Sequence, residues 1–443
     1  MKMLKTGCIL IVTYEAEDVN MFYTERERQT EIAGKYDVIV CGSGPAGMAA
    51  AVAAGRGGAK VLVIEALGSV GGIATSGLMS HFTGTVNSRL YEETLARMAE
   101  KNVFGRGERR VEIDPEMLKE VYIEMLGEVG ADLLLYTFVC GAVTENGCVK
   151  GVVSESKSGR RVFLADAVID CTGDGDVAFR AGADFFLGRE EDGKMQPATL
   201  MFKVGGVDET RAVFPGSFET TVETEKGELQ TLAKKILPPP AGHVLLYRST
   251  IPGIVTCNMT NCTGIDGTKA EDLTRAEIIC RRQIEPITKF LREYVPGYEN
   301  CYVISAASLI GIRETRHFVG EKKISEKDIL EAREFEDWVV RGAHFNFDVH
   351  NLTGASLDKT GVQKNFTQKK GYTIPYGCLV PKKIDGLLLS GRNISGTHMA
   401  HSNFRAMPIC LAIGEACGTA AAIAVKERIR LRDVDVKKIQ ARL

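Results

Sequence analysis

Residues 35–66 read KYDVIVCGSGPAGMAAAVAAGRGGAKVLVIEA, which predicts a strand, a glycine turn, an alanine-rich helix and a second strand. Gly42, Gly44 and Gly47 form a G-x-G-x-x-G motif where the first strand gives way to the helix. In this motif the first glycine makes a tight turn, the second lets a pyrophosphate approach the backbone, and the third lets the helix pack on the strand. The stretch therefore predicts an α/β domain that binds a dinucleotide.

The second strand of this stretch ends in an acid, Glu65. An acid at this place is positioned to accept hydrogen bonds from a ribose, and the helix N-terminus offers free N–H groups to phosphates. At this point the dinucleotide is either NAD or FAD. The residues predicted to contact it here are Gly42, Ser43, Gly44, Pro45, Ala46, Gly47, Glu65 and Ala66.

Length and charge exclude several classes of protein. The chain has 443 residues, 55 of them Lys or Arg and 57 Asp or Glu, for a formal net charge of -2. Such a length predicts at most about three domains. There is no basic surplus for a phosphate-neutralising surface, so no nucleic acid partner is expected. The sequence shows no run of about 18 apolar residues and no convincing export signal, which predicts a cytoplasmic protein with no membrane partner.

The twelve cysteines contain no Cys-x-x-Cys pair. Several lie in apolar strings, which predicts buried free thiols in a reducing compartment. Cys257 and Cys262 are too far apart along a strand to bridge. No closely spaced cysteine run suggests an iron–sulfur centre, and no ligand spacing suggests a metal.

The pattern along the chain predicts three parts. Residues 1–34 are an extension, residues 35–183 and 376–443 form the dinucleotide-binding domain, and residues 184–375 form an inserted α+β domain. In the inserted domain, residues 276, 280, 284, 287, 291 and 294 place apolar side chains on one helical face. Pro286 lies inside that helix and is expected to kink or divide it.

Three further motifs follow the first: EALGSVGGIATSG after Glu65, IDCTGDGD at 169–176 and GLLLSGRN at 386–393. Together with the first motif they resemble the glutathione-reductase-type FAD-binding fold. The resemblance implies that FAD is the cofactor and that its ribityl region passes Gly71, Gly72, Ile73 and Ala74. It places Thr172, Gly173 and Asp174 near the adenosine half, Gly391 and Arg392 at the pyrophosphate and ribityl chain, and the Val139 backbone beside the adenine.

The C-terminal block, residues 374–422, resembles the bacterial FAD-dependent oxidoreductase family with a single N-terminal dinucleotide motif, as do SLIGIRETRHFVGE and FDVHN in the middle of the chain. The resemblance implies a Rossmann-like FAD-binding domain with an inserted substrate or cap domain. It implies hydride transfer between a small organic substrate and noncovalent FAD. The electron acceptor and homo-oligomerisation stay open.

The best catalytic candidates precede a helix predicted from about residue 407. Met407 and Pro408 begin this helix, and its N-terminus would stabilise charge on the flavin's pyrimidine edge. His398 and Arg405 lie just before it: a histidine can move a proton near neutral pH, and an arginine can hold a carboxylate. An exposed loop is the alternative interpretation of this segment. His401, His81 and His350 are weaker candidates, and an exposed helix face is the favoured explanation of Arg313, Arg316 and His317.

Three other functions remain open. One is a flavin-dependent RNA-modifying enzyme of the glucose-inhibited-division type, against which the charge speaks. The second is an FAD-containing electron-transfer subunit, which would need partner proteins for any iron–sulfur centre. The third is an FAD-binding protein without turnover. A disulfide-reductase architecture is disfavoured because there is no second G-x-G-x-x-G motif of comparable quality.

Overall fold

The computed structural model describes residues 25, 27–102, 111–354, 368 and 370–443, and two short strands near the N-terminus. Contacts divide the chain into residues 1–31 and residues 32–443. In the first unit, β1 (Leu4–Thr6) pairs antiparallel with β2 (Ile9–Ile11). All that follows concerns the second unit.

The second unit contains both helices and strands throughout. The strands are β3 (Glu31–Cys41), β4 (Val61–Ile64), β5 (Thr85–Asn87), β6 (Asp132–Leu134), β7 (Phe138–Glu145), β8 (Cys148–Ser156), β9 (Gly159–Asp170), β10 (Phe185–Leu187), β11 (Phe202–Gly205), β12 (Glu223–Thr224), β13 (Gly227–Glu228), β14 (Leu246–Arg248), β15 (Val255–Cys257), β16 (Tyr302–Ala306), β17 (Arg316–Phe318), β18 (Trp338–His344), β19 (Tyr372–Pro375) and β20 (Leu387–Leu389). The helices are α1 (Pro45–Arg56), α2 (Arg89–Lys101), α3 (Pro115–Glu128), α4 (Asp176–Arg180), α5 (Leu229–Ile236), α6 (Ala270–Tyr294), α7 (Glu326–Leu330), α8 (His398–Phe404), α9 (Met407–Glu427) and α10 (Val436–Gln440).

A seven-stranded mixed sheet forms the centre of the α/β fold that the sequence predicts. Its order is β6-β4-β3-β9-β8-β7, and β20 pairs with β9 as well. β6, β4 and β3 run parallel, as do β9 and β20, while β7, β8 and β9 form an antiparallel meander. The ends of β3, β4, β9 and β20 meet at one edge, where the Cys171 N–H donates to Cys41 O at 2.8 Å. This edge carries every glycine motif quoted above.

Small residues bring α9 against α1. A Cβ added to Gly414 would lie 2.0 Å from Ala46 O, and one added to Gly418 would lie 2.1 Å from Ala50 O. Glycine is therefore required at both positions for the two helices to approach. α9 is long and apolar enough to cross a membrane by length and composition, but it is buried within the protein.

A separate core lies under the antiparallel sheet β14-β15-β11-β16 and helix α6. α6 is a single helix with Pro286 inside it, which excludes a division of the helix and leaves a kink as the effect expected of this proline. Its predicted apolar face is confirmed, because Ala276, Cys280, Ile287 and Leu291 are buried. β18 pairs with both β5 and β19, in a three-stranded sheet separate from this one. Every cysteine that the structure describes is a free thiol, Cys257 and Cys262 included.

Candidate functional site

The three glycines of the first motif meet different surroundings. Gly42 has a φ of +96°, and an added Cβ would lie 2.4 Å from Cys171 O. An added Cβ at Gly47 would lie 1.9 Å from Gly42 O. At Gly44, by contrast, no heavy atom of the described chain lies within 4 Å of an added Cβ. The fold itself therefore requires glycine at positions 42 and 47, whereas a ligand would explain the glycine at 44.

The second glycine pair lies directly against this turn. The Gly71 N–H donates to Ser43 O at 2.7 Å. Gly72 has a φ of +52°, and an added Cβ would lie 2.9 Å from the Cα of Gly44. Helix α1 begins after Gly44 with no side-chain cap, so its N-terminal N–H groups are available to an anion. The two turns together form a backbone cradle of the kind that a pyrophosphate requires.

Glu65 lies beside the same turn and is 8% exposed. Its Oε2 accepts hydrogen bonds from the Ser43 N–H at 2.8 Å and the Ser43 hydroxyl at 2.7 Å. Its Oε1 accepts from the Leu67 N–H at 2.8 Å. A carboxylate accepts about four hydrogen bonds, so Glu65 retains room for a ribose hydroxyl. The predicted ribose contact is thus compatible with these bonds.

Arg392 and Asp174 form an ion pair at the ends of β20 and β9, with Nη2 and Oδ1 3.0 Å apart. The Arg392 Nη1 atom is buried and has no partner among the described residues. Just before, buried Asp170 accepts from the Thr172 N–H at 3.1 Å and its hydroxyl at 2.7 Å, and burial raises the Asp170 pKa to about 6. An unpaired guanidinium N–H beside the glycine turns fits a phosphate-bearing cofactor.

The remaining predicted cofactor contacts are distributed over this edge. Gly391 has a φ of +99°, and an added Cβ would lie 3.3 Å from the Ala46 Cβ. Ile73 and Ala74 lie in a single 3-10 turn, and Val139 is buried in β7. α9 begins at Met407, as predicted, and has no side-chain cap at Ala406.

His398 lies at the start of α8 and is buried, so the alternative of an exposed loop was wrong. Its Nδ1 lies 2.5 Å from Oε1 of Glu314, a residue that the sequence did not single out. The Nε2 atom of His317 is 2.8 Å from the same oxygen. Burial raises the pKa of Glu314, but the hydrogen bonds from His317 and His398 outweigh that effect. The Glu314 pKa is therefore well below its usual value. Glu314 in turn raises the pKa of His398 above 6.5 despite burial.

One further group of side chains has the composition of a metal site. Donor atoms of Glu314, His317 and His401 all lie within 4.8 Å of one another. Ligands around one zinc ion lie about 3.3 Å apart, given zinc–nitrogen distances near 2.0 Å. The Glu314 oxygen also already accepts from two histidines. The absence of a resident metal therefore stays a prediction.

Arg405 and Asp348 form a second charged pair. Arg405 ends α8, and its Nη2 donates to Asp348 Oδ2 at 2.7 Å and Asp348 O at 2.8 Å. His350 Nε2 lies 3.3 Å from Asp348 Oδ1. The predicted exposed helix face of Arg313, Arg316 and His317 was wrong, because Arg316 and His317 are buried in β17 and Arg313 is half-buried. Tertiary packing overrides the charged pattern of that segment.

His81, the other weak candidate, lies after the Gly71–Gly72 turn. Its Nδ1 is 2.7 Å from the Ser80 hydroxyl, and its ring packs 5.0 Å from the ring of Tyr247. Tyr247 belongs to β14 of the second sheet. His81 thus lies between the glycine segments and the second core.

Comparison with known proteins gives a clear match for most of the chain. Residues 37–443 match the family model described as FAD dependent oxidoreductase. No curated protein sequence is significantly similar to the chain.

Solved structures of other proteins are similar to the chain at low identity. A geranylgeranyl bacteriochlorophyll reductase-like protein from Thermoplasma acidophilum is 14% identical, with a TM-score of 0.47, over 92% of this chain and 82% of that one. The p-nitrophenol 4-monooxygenase of Pseudomonas putida is 13% identical, with a TM-score of 0.47, over 92% of this chain and 83% of that one.

Proposed function

Because the chain belongs to the FAD-dependent oxidoreductase family, we propose that it transfers a hydride between a small organic substrate and noncovalently bound FAD. Bound FAD supplies a ring that takes up or returns two electrons. The observation that carries the proposal is the buried ion pair between Glu314 and His398. His398 lies in α8, the helix directly before α9. This pair gives the site a group that can hold and move a proton.

We assign the cofactor to the cradle at the edge of the central sheet. Gly44 leaves the backbone bare for a pyrophosphate, Gly72 lets the second turn pack against Gly44, and the uncapped start of α1 offers its N–H groups. Glu65 would accept from a ribose hydroxyl, and the Arg392 guanidinium would lie near the phosphates. The uncapped start of α9 would stabilise negative charge. The other residues predicted to contact FAD are proposed to do so in the way that the resemblance to the FAD-binding fold implies.

We assign the proton transfer that accompanies hydride transfer to His398. Its Nδ1 faces Glu314, which favours the protonated imidazole, and its Nε2 is then the atom that exchanges a proton with the reaction. Glu314 is a positioning residue, because it fixes the ring and holds its charge. His317 shares the carboxylate and keeps it ionised.

Residues 184–375 are proposed to supply the substrate-binding part. The sheet β14-β15-β11-β16 and α6 have a core of their own, including Phe202, Val255 and Ile287, which supports an inserted unit.

We also propose a cytoplasmic location, because the free thiols of the described chain suit a reducing compartment.

Anaerobic titration of the FAD-containing protein tests the function. Alcohols, amines and carboxylic acids are added in turn, and the absorbance near 450 nm is recorded. One class is expected to bleach the flavin, and re-oxidation by an added acceptor is expected to restore the colour. If no class bleaches the flavin, and the reduced protein is not re-oxidised by the carbonyl compounds or imines that correspond to these alcohols and amines, the proposal is contradicted.

The flavin is expected to be noncovalent. His81 is the one histidine after the glycine pair that would suit attachment, yet its ring lies between Ser80 and Tyr247. Acid precipitation should therefore release the yellow colour into the supernatant. Colour that stays with the pellet of the parental protein, and leaves it in a His81→Ala variant, would show a covalent bond.

A further inference from the structure

Two guanidinium groups, those of Arg313 and Arg405, lie near a single carboxylate, that of Asp348, and only Arg405 is hydrogen-bonded to it. Arg405 binds Asp348, as described above. Arg313 donates from Nη1 to the uncharged Pro197 carbonyl at 2.5 Å, and the described chain offers it no ion pair of its own. Burial, and then the charge of Arg405, lower the pKa of Arg313 to about 10, so the two cations lie close enough to repel. Arg313 remains protonated at neutral pH all the same.

The neighbouring groups add no negative charge. Burial lowers the pKa of His243 to about 3 and that of His350 to about 4, so both are neutral. Burial raises the pKa of Tyr247 to about 12, so its hydroxyl is neutral as well. Asp348 is ionised, because the charge of Arg405 and the hydrogen bond from His350 hold its pKa far below the usual value against the effect of burial. The described part of the cluster therefore carries one excess positive charge.

Two N–H donors in this cluster have no acceptor among the described residues. One is the Nε of Arg405, and the other is the Nε2 of Gln196. Gln196 is 1% exposed, and its other amide atom accepts from the His350 N–H at 3.3 Å. Buried donors are almost always satisfied in proteins. An anion with more than one oxygen could accept hydrogen bonds from both donors and would balance the excess positive charge.

The cluster lies next to the proposed flavin cradle. Arg405 ends α8 directly before α9. On the other side, the Ser308 N–H donates to Ser76 O at 3.0 Å, which holds the segment before Arg313 against the segment after Gly72. A molecule bound between the two arginines would therefore be close to the proposed flavin-binding segments.

We infer that Arg313 and Arg405 bind a carboxylate group of the substrate. The inference rests on the proposed function and names the class of substrate for that site. A single excess charge matches a monocarboxylate rather than a phosphate dianion, and a guanidinium presents the parallel donors that a carboxylate accepts.

Binding to the FAD-containing protein is measured by calorimetry under oxidised conditions. The probes are acetate, pyruvate, hexanoate, benzoate and phenylacetate, each compared with its uncharged amide. At least one acid is expected to bind, with its amide at least about tenfold weaker. Arg313→Gln and Arg405→Gln are each expected to weaken that acid by roughly tenfold to a hundredfold.

Two further variants separate recognition from folding. Arg292 also donates to a main-chain carbonyl, that of Cys301 at 2.7 Å, so Arg292→Gln is the matched control and should leave binding unchanged. Asp348→Asn frees the Arg405 guanidinium and adds positive charge, so it should tighten the acid. General loss of structure cannot produce a gain in affinity.

The inference is overturned if no acid binds, if amides bind as well as acids, if the arginine variants retain full affinity, or if inorganic phosphate binds more tightly than every acid. Two outcomes distinguish failure of the proposed function from failure of this inference. Acids that bind without ever bleaching the flavin would contradict hydride transfer and leave this inference standing. Bleaching by an uncharged alcohol or amine alone would support hydride transfer and contradict this inference.

Discussion

A Gly44→Ala variant is expected to fold normally and to purify without colour. No described atom lies within 4 Å of the added Cβ, and Gly44 has an extended backbone that any residue adopts. The methyl group would therefore fill only the space assigned to the pyrophosphate. Overpacking costs about 1–3 kcal/mol, and each lost hydrogen bond to a charged group costs roughly 1.5–3 kcal/mol. FAD affinity should fall by about 10² to 10⁴, as measured by fluorescence titration of the cofactor-free protein.

The matched control makes the same one-carbon change three positions away. Gly47→Ala would place its Cβ 1.9 Å from the Gly42 carbonyl oxygen, so the turn itself must move. We expect this variant to lose about 3 kcal/mol or more of stability, an effect of overpacking at the upper end of its range, and to unfold at a lower temperature with or without added FAD. If Gly44→Ala retains full occupancy of FAD, the cradle does not hold the pyrophosphate.

A His398→Gln variant is expected to reduce its flavin about 10² to 10⁴ times more slowly than the parental protein, once a bleaching substrate is known, because it has lost a proton-transfer group. Glutamine can still donate to Glu314, so FAD content and melting temperature should change little. His398→Ala is less informative, because removing one partner of a buried ion pair costs about 3–5 kcal/mol and His398 is buried against Glu314.

Stopped-flow reduction under anaerobic conditions measures the effect. His344→Gln is the matched control, since His344 is a half-buried histidine that bonds the Gln368 carbonyl, outside the proposed site. It should reduce at the parental rate. Equal rates for His398→Gln and the parental protein would assign the proton to another group.

The backbone of the glycine turns was predictable because its signals are local. Gly42 and Gly47 are needed by one turn, and the strand, turn and helix around them are contiguous in the sequence. The start of α9 was predictable for the same reason, since Pro408 suits the first turn of a helix. These elements are set by backbone conformation within short segments.

The charge network was not predictable because its bonds join distant residues. Glu314 and His398 are 84 positions apart, and only the packing of β17 against α8 brings them together. In the sequence, Glu314 lies within a charged run that has the composition of a solvated helix face. Whether such a run is solvent-exposed or buried depends on tertiary structure, which composition alone does not contain.

The close approach of α1 and α9 has a consequence for how the protein is made. α1 ends at Arg56 and α9 ends at Glu427. The glycines of α9 pack against the backbone at alanines of α1, so each helix needs the other to bury this face. During synthesis the first helix must therefore wait for more than three hundred further residues before its partner leaves the ribosome. Its apolar surface needs protection in that interval, and the site proposed for the cofactor can be completed only after α9 has been made. FAD would thus bind only after α9 has been made, so a shortage of FAD would act on chains in which the two helices are already paired.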